Sequence, residues 1–280
     1  MGSVKTLFDF ANAKLNNSTE ARLLVEYVSG MPLSKGLIHE FEDSRLTQLE
    51  DELVGLIARR QTGEPLQYVM GTWDFRQLQL AVDSRVLIPR PETEEVVGAA
   101  LRLVGDEPSC VVDLGTGSGA IALSIATEAP SATVHATDFS RDALDVARAN
   151  CQKVFTADSR MFFHEGSWYD ALPNELRGRV NLIVSNPPYI RDDERSGLAP
   201  EVVDWEPSSA LFAGAKGLDD IEIIVSNAQE WLAPGGAVVI EFAPAQSLQV
   251  AKLADQAGFT SVQIGKDMTG RDRWIEAIRP

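Results

Sequence analysis

The chain has 280 residues, of which 44% are hydrophobic, and its formal net charge at pH 7 is −16. This length suffices for one large domain, or for a large domain with a smaller companion. The acidic residues are dispersed and the basic residues do not cluster, which argues against tight binding to a nucleic-acid backbone and is compatible with a small-molecule ligand or a basic protein partner.

The N-terminal part of the chain, residues 1–72, is predicted to be helical. Apolar side chains recur at helical spacing over residues 7–15 and again over residues 21–28. The second of these helices is expected to be capped by Ser18-Thr19-Glu20. A third helix is expected over residues 44–60, so this region is predicted to be a small helical bundle.

Residues 73–90 are expected to connect two domains. Apolar residues spaced between positions 75 and 88 predict a short β-hairpin. The turn of this hairpin is placed near Asp83 and Ser84.

From residue 91 to residue 280, predicted strands and helices alternate. The strands are expected at residues 110–114, 132–138, 160–164, 180–185, 236–242, 261–264 and 274–279. The helices are expected at residues 92–103, 119–128, 141–153, 218–232 and 246–257. This alternation predicts an α/β domain with a mostly parallel sheet covered on both faces. Since ligands bind beyond the carboxyl ends of such strands, the candidate site lies in the loops after Leu114, Thr137, His164 and Val184.

A glycine-rich loop, Gly115-Thr116-Gly117-Ser118-Gly119, follows the first of these strands. Its glycines permit a sharp turn close to a ligand, and the next helix would direct free amides at that ligand. Asp138 ends the next strand, nineteen residues after Gly119, where a carboxylate can accept hydrogen bonds from ribose hydroxyls. The spacing also satisfies the G-x-G-x-x-A pattern of dinucleotide sites.

Two further features of these loops leave alternatives open. Asp113, two residues before the first glycine, extends a string that resembles the loop of S-adenosylmethionine-binding class I methyltransferases. That resemblance implies that Asp113 helps to hold the methionine end of the cofactor. Trp168 follows the third strand, where its indole could pack on a purine or could be a half-buried aromatic residue in a loop.

The fourth strand ends in the motif Asn186-Pro187-Pro188-Tyr189. Each proline restricts the preceding residue to extended conformations and lacks an N–H, so the corner presents acceptors and withholds backbone donors. With the Asn186 side-chain oxygen and the flat Tyr189 ring, it suits a planar nitrogen that carries two N–H groups. Two acceptors would direct the lone pair of such a nitrogen at a methyl carbon, which is catalysis by positioning and needs no general base. A proline turn that merely ends the strand is the structural alternative.

The sequence contains no apolar run that approaches ~18 residues and no recognisable signal segment. Its two cysteines, Cys110 and Cys151, have no neighbouring histidine and form no Cys-x-x-Cys pair. They are expected to be reduced core thiols and not part of a metal site or a disulfide. We therefore expect a cytoplasmic protein with neither a membrane segment nor a bound metal.

The glycine loop and the Asn-Pro-Pro-Tyr motif together resemble the amino-methyltransferases, which include adenine-N6 DNA methyltransferases and protein glutamine-N5 methyltransferases. Further segments resemble the peptide chain release factor glutamine N5-methyltransferases over nearly the whole chain. These segments are residues 20–24, 63–75, 87–94, 205–218 and 267–273. The resemblance implies a Rossmann-like class I methyltransferase domain over residues 91–280, preceded by a helical domain that helps to grip a release factor.

The family's reaction is methyl transfer from S-adenosylmethionine to the glutamine of the Gly-Gly-Gln loop in class I release factors. By this resemblance, the glycine loop, Asp138, Trp168 and Asn186 would contact the cofactor, and Asn186 to Tyr189 would contact the glutamine. Arg90 is either a partner-binding residue or an ion-pair partner of Glu92 or Glu94. We expect a monomer that does not bind nucleic acid directly.

Relatives that modify a ribosomal protein usually carry Pro-Arg-Ser-Pro where this chain has Pro89-Arg90-Pro91-Glu92, which favours release factors. An adenine-N6 nucleic-acid methyltransferase is the main alternative, and the charge counts against it. A nucleotide-binding protein without methyl transfer is another. Departures from the family pattern at Lys216, Ile221-Glu222 and Ala243 leave the contacts with the substrate open.

Overall fold

The computed structural model describes residues 2–36, 40–155 and 160–280. It divides into two compact units. The first unit is Met1–Thr72 with Ala199–Trp205, and the second is Trp73–Leu198 with Glu206–Pro280.

The described residues form helices and strands in the following order. The helices are α1 (Val4–Leu15), α2 (Ser18–Ser29), α3 (Leu33–Gly36), α4 (Asp43–Gln61), α5 (Leu66–Met70), α6 (Pro91–Val104), α7 (Ala120–Glu128), α8 (Arg141–Val154), α9 (Pro200–Trp205), α10 (Asp219–Trp231) and α11 (Ser247–Gln256). The strands are β1 (Gly2–Ser3), β2 (Glu40–Phe41), β3 (Thr72–Phe75), β4 (Leu78–Ala81), β5 (Ser109–Leu114), β6 (Ala132–Asp138), β7 (Met161–Glu165), β8 (Val180–Ser185), β9 (Leu232–Glu241), β10 (Thr260–Lys266) and β11 (Asp272–Ile278).

The first unit is built around the apolar faces of α1, α2 and α4. Leu7, Leu24 and Leu49 are among the buried residues of its core. The cap of α2 differs from the expected one, because the side chain of Asn17 accepts hydrogen bonds from the backbone N–H groups of Thr19 and Glu20. An asparagine side chain satisfies these free N–H groups at a helix start as well as a serine does.

Helix α9 belongs to this first unit, although it lies more than a hundred residues further along the chain. Glu201 pairs with Arg60 at 3.0 Å. The indole nitrogen of Trp205 lies 3.9 Å from the position of a Cβ on Gly63. The division expected from the sequence did not include this segment, because a six-residue helix carries little periodic signal of its own.

The predicted hairpin forms, but its turn is not near Asp83 and Ser84. The chain reverses at Arg76, between β3 and β4, with φ of 51°. The Arg76 guanidinium donates to Glu128 at 2.6 and 2.7 Å, and this pair stabilises an uncommon conformation for a non-glycine residue. Asp83 forms a separate turn, in which its carboxylate accepts from the backbone N–H of Arg85.

Within the described part of the second unit, seven strands form one sheet in the order β10-β11-β9-β8-β5-β6-β7. Strand β11 is antiparallel to both of its neighbours, and the pairs from β9 to β7 are parallel. One apolar cluster, which includes residues of α6 and α7, covers one face, and another, which includes residues of α10 and α11, covers the other. The α/β class predicted from the sequence is confirmed. No described helix is both long and apolar enough to cross a membrane.

The sheet brings the predicted loops to one edge. Strand β5 pairs with β6 on one side and with β8 on the other, which creates the crevice where ligands bind in such sheets. Leu114, the last residue of β5, is level with Thr137 and with Ser185. The glycine loop, Asp138 and the Asn-Pro-Pro-Tyr motif therefore all begin at the same level.

Candidate active site

A cavity of about 250 Å³ lies at this edge of the sheet. Six of the residues singled out from the sequence line it, namely Gly115, Gly117, Asp138, Trp168, Asn186 and Pro188. The lining also includes Phe139, Ser209 and Asp220, which the sequence analysis did not identify. Phe139 directly follows the acidic residue at the end of β6, and this position was the one available signal for it.

Alternate residues of the glycine loop face the cavity. Gly115 and Gly117 are partly exposed, whereas Thr116, Ser118 and Gly119 are buried. The N–H groups of Gly115 and Thr116 both donate to the carbonyl of Thr137 at 2.9 Å, which ties the start of the loop to β6. Gly119 has φ of 84°, and a Cβ there would come within 3.1 Å of Leu123, so the entry into α7 requires glycine.

Asp113 lies beneath this loop and is fully buried. Its Oδ2 accepts from the Thr116 hydroxyl at 2.6 Å and from the N–H of Ala122 at 3.1 Å. Burial raises the pKa of Asp113 to about 7, and these two hydrogen bonds oppose the shift. These bonds connect the end of β5 to the loop and to α7. Within the described residues, Oδ1 has no hydrogen-bond partner.

Asp138 holds the loop from the neighbouring strand. Its Oδ2 accepts from the N–H of Gly117 and its Oδ1 from the N–H of Ser140, both at 2.9 Å. Burial raises the pKa of Asp138, and the same two hydrogen bonds act against the rise. The carboxylate thus borders the cavity in a fixed orientation, with lone pairs left for a further donor.

Trp168 forms another part of the cavity wall, and its backbone has φ of 45°. Its ring lies against the glycine loop, with Cζ3 3.2 Å from the position of a Cβ on Gly115. Burial raises the pKa of Asp220, and a hydrogen bond from the Trp168 side chain opposes this shift. The ring is therefore fixed from two directions.

The Asn-Pro-Pro-Tyr corner is connected to two buried residues that the sequence analysis did not identify. Asn186 Nδ2 donates to the Thr93 hydroxyl at 3.1 Å, and that hydroxyl lies 2.7 Å from Glu241 Oε2. The Tyr189 hydroxyl donates to the other oxygen, Oε1, at 3.2 Å. Burial raises the pKa of Glu241 to about 7, and burial together with the Glu241 charge raises that of Tyr189.

The rest of the corner is held by its neighbours. Pro187 is buried, whereas Pro188 lines the cavity. Gln246 Nε2 donates to the backbone carbonyl of Tyr189 at 2.9 Å. The next residue, Ile190, bridges to the segment around Phe212. The corner is thus an ordered part of the sheet edge.

Arg90 does not pair with Glu92 or Glu94, the partners considered from the sequence. It pairs with Glu206 at 2.5 Å, and the Glu206 side chain is 1% exposed. The same carboxylate accepts from the backbone N–H of Ile88 at 3.3 Å. Glu92 pairs with Arg271 instead, at 3.3 Å.

The sheet order, the glycine loop at its switch point and the helices on both faces are those of a Rossmann-like class I methyltransferase. Two family models match the chain: the methyltransferase small domain over residues 101–204 and the PrmC N-terminal domain over residues 9–71. The crystal structure of a methyltransferase from Pyrococcus furiosus, 17% identical, superimposes with a TM-score of 0.54 over 72% of this chain and 89% of that one, which supports the fold alone.

Closer relatives define the family. The chain is 40% identical to the release factor glutamine methyltransferase of Streptomyces coelicolor, over 92% of this chain and 90% of that protein. It is 33% identical to the bifunctional methyltransferase of Rickettsia prowazekii, over 98% of this chain but only 57% of that longer protein. The chain belongs to the release factor glutamine methyltransferase family.

Proposed function

We propose that this release factor glutamine methyltransferase transfers a methyl group from S-adenosylmethionine to N5 of the glutamine in the Gly-Gly-Gln motif of class I release factors. The names of its relatives support the substrate class. The observation that carries the chemistry is the buried connection from Asn186 to Glu241 through Thr93, because it fixes an amide at the cavity wall.

The residues that border the cavity fit S-adenosylmethionine. The glycine loop allows a ligand to approach the backbone, and Asp138 offers carboxylate lone pairs suited to ribose hydroxyls. Trp168 offers an aromatic face for a purine. When bound, S-adenosylmethionine supplies an electrophilic methyl group on a sulfonium. Asp113 acts from below by holding the loop and α7 in place.

The corner acts on the glutamine. Its amide nitrogen is a poor nucleophile because its lone pair is delocalised into the carbonyl. The Asn186 side-chain oxygen and a backbone carbonyl of the corner accept the two N–H hydrogens, which increases electron density on the nitrogen and orients it. Tyr189 provides a flat ring against the planar amide. One N–H proton leaves to solvent as positive charge develops on the nitrogen, and no side chain is assigned as a general base to remove it.

The helical unit is proposed to contact the body of the release factor, apart from the glutamine loop. Its core is separate from that of the second unit, so it can present its own surface. The full release factor should then have a KM at least tenfold below that of a peptide containing Gly-Gly-Gln, with a similar kcat. Equal KM values for the two substrates would contradict this role.

The decisive experiment uses S-adenosylmethionine with a labelled methyl group and a purified class I release factor. Mass spectrometry should place one added methyl on the glutamine of Gly-Gly-Gln, and a release factor with alanine at that position should remain unlabelled. Label that persists in the alanine variant would refute the assignment. Parallel reactions with adenine-containing oligonucleotides and with ribosomal proteins test the two alternative substrates.

Two further expectations complete the proposal. The protein is expected to act in the cytoplasm, where release factors work, and as a monomer. Light scattering should give a mass near 30.5 kDa for the free protein. A stable dimer at micromolar concentration would contradict the expected monomer.

A further inference from the structure

Glu241 occupies a position that neither the sequence pattern nor the comparisons assign. It is the last residue of β9, and it is fully buried, with 0% of its surface exposed. Its two carboxylate oxygens accept from different partners, Oε2 from Thr93 and Oε1 from Tyr189. Because β9 pairs with β8, with Ile240 level with Ser185, Glu241 stands beside the residue that starts the corner.

The direction of each hydrogen bond follows from the donors available. An ionised carboxylate only accepts, so the single hydroxyl hydrogen of Thr93 must point at Glu241. The Thr93 oxygen then has only lone pairs to offer Asn186. The Asn186 amide can therefore meet Thr93 only with its NH₂ end, and its oxygen must point away from Thr93. Burial raises the pKa of Glu241 to about 7, and the hydrogen bond from Thr93 and the charge of Arg273 oppose the rise, so the carboxylate is ionised above about pH 7.

We propose that Thr93 and Glu241 are positioning residues that select the orientation of the Asn186 amide and so turn its oxygen toward the target nitrogen. With the reversed amide, the NH₂ end would face the target and repel its N–H hydrogens. Glu241 also holds the Tyr189 hydroxyl, so one buried carboxylate positions both ends of the motif. This inference rests on the proposed function for the identity of the target amide.

A kinetic test compares Thr93 variants with the wild type. The assays are run at about pH 8, which is above the raised Glu241 pKa of about 7. Thr93→Val keeps the shape of the side chain but removes the hydroxyl, and kcat for release-factor methylation should fall roughly 10–100-fold. The matched variant Thr93→Ser keeps the hydroxyl and should stay within about threefold of the wild type. The Kd for S-adenosylmethionine should change by less than about twofold in either variant. An unchanged kcat in Thr93→Val would overturn the inference.

A second measurement reads the amide itself and does not depend on methyl transfer. The side-chain NH₂ of Asn186 gives a pair of ¹H–¹⁵N signals that are assigned by their loss in Asn186→Ala. Their hydrogen exchange should be slow in the wild type and in Thr93→Ser, and at least tenfold faster in Thr93→Val. Tyr189→Phe serves as a control, since it removes the other bond to Glu241 and should leave this exchange slow.

The two measurements separate the two ideas. If the wild type does not methylate a release factor but the exchange rates follow this order, the proposed substrate is wrong and the orientation of Asn186 by Thr93 stands. If the release factor is methylated but Thr93→Val changes neither kcat nor exchange, the function stands and Thr93 and Glu241 are not positioning residues.

Discussion

Trp168 is fitted against Gly115: its Cζ3 atom lies 3.2 Å from the position that a Cβ on residue 115 would take, and its Cη2 atom lies 3.5 Å away. Both residues line the cavity. Gly115 also has φ of 73°, a conformation that side chains other than glycine rarely adopt. One residue thus meets two independent constraints, one from its backbone and one from its neighbour.

Gly115→Ala should weaken S-adenosylmethionine binding at least tenfold, because Trp168 must move to accommodate the new methyl group. Isothermal titration calorimetry measures the Kd. Gly30→Ala is the matched control, since Gly30 has φ of 68° and nothing within 4 Å of an added Cβ. It should lose about 1–2 kcal/mol of unfolding free energy from backbone strain and keep the cofactor affinity of the wild type. Equal affinity in both variants would show that the fit of Trp168 does not matter.

Much of the second unit could be predicted because its elements are specified locally. The buried apolar runs predicted strands that end at Leu114, Asp138 and Ser185, and the observed strands end at those residues. The hairpin turn could not be predicted in this way. Arg76 carries no turn signature, and its conformation is supported by Glu128, fifty-two residues further along the chain.

The candidate site shows the same division. Gly115, Asp138 and Asn186 could be predicted, since glycines, a strand-end carboxylate and a double proline leave a local pattern. Thr93 and Glu241 could not be predicted, because their hydrogen bond joins residues 148 positions apart. It forms only when α6 packs against β9. Sequence patterns identify residues that touch a ligand more readily than they identify residues that act through another side chain.

Asp113→Asn should change how stability depends on pH. In the unfolded chain this carboxyl has its ordinary pKa of 3.8, and in the folded protein burial raises it to about 7. The folded wild type therefore binds the proton more tightly, and its stability falls as pH rises from about 4 to about 7. The unfolding free energy of the variant relative to the wild type should rise by about 2–4 kcal/mol over that interval.

Denaturant titrations of both proteins at several pH values measure this difference. It should rise up to about pH 7 and be level above it, because the wild-type carboxyl is then ionised in both states. Asp138 lies close enough to add to the shift. A difference that stays constant from pH 4 to pH 8 would mean that burial does not perturb Asp113.

Arg90→Ala should destabilise the protein by about 2–3 kcal/mol, because it leaves the buried Glu206 carboxylate without its charged partner. This loss is smaller than for a fully buried ion pair, since the Arg90 side chain is 31% exposed. Glu92→Gln breaks the more exposed pair with Arg271 and should cost less than about 1 kcal/mol. Urea denaturation compares the two. A small loss in Arg90→Ala, together with a raised KM for the release factor, would instead favour a role in partner binding.

Asn186→Ala should separate binding from chemistry. It removes the side-chain oxygen that accepts from the target amide, so kcat should fall at least a hundredfold while the Kd for S-adenosylmethionine changes by less than about fivefold. Asn181→Ala is the control: Asn181 lies at the opposite end of β8, where its oxygen accepts from the N–H of Cys110. That variant should lose some stability and keep kcat. If Asn186→Ala instead weakened cofactor binding a hundredfold and left kcat at saturation unchanged, the corner would hold the methyl donor and not the glutamine.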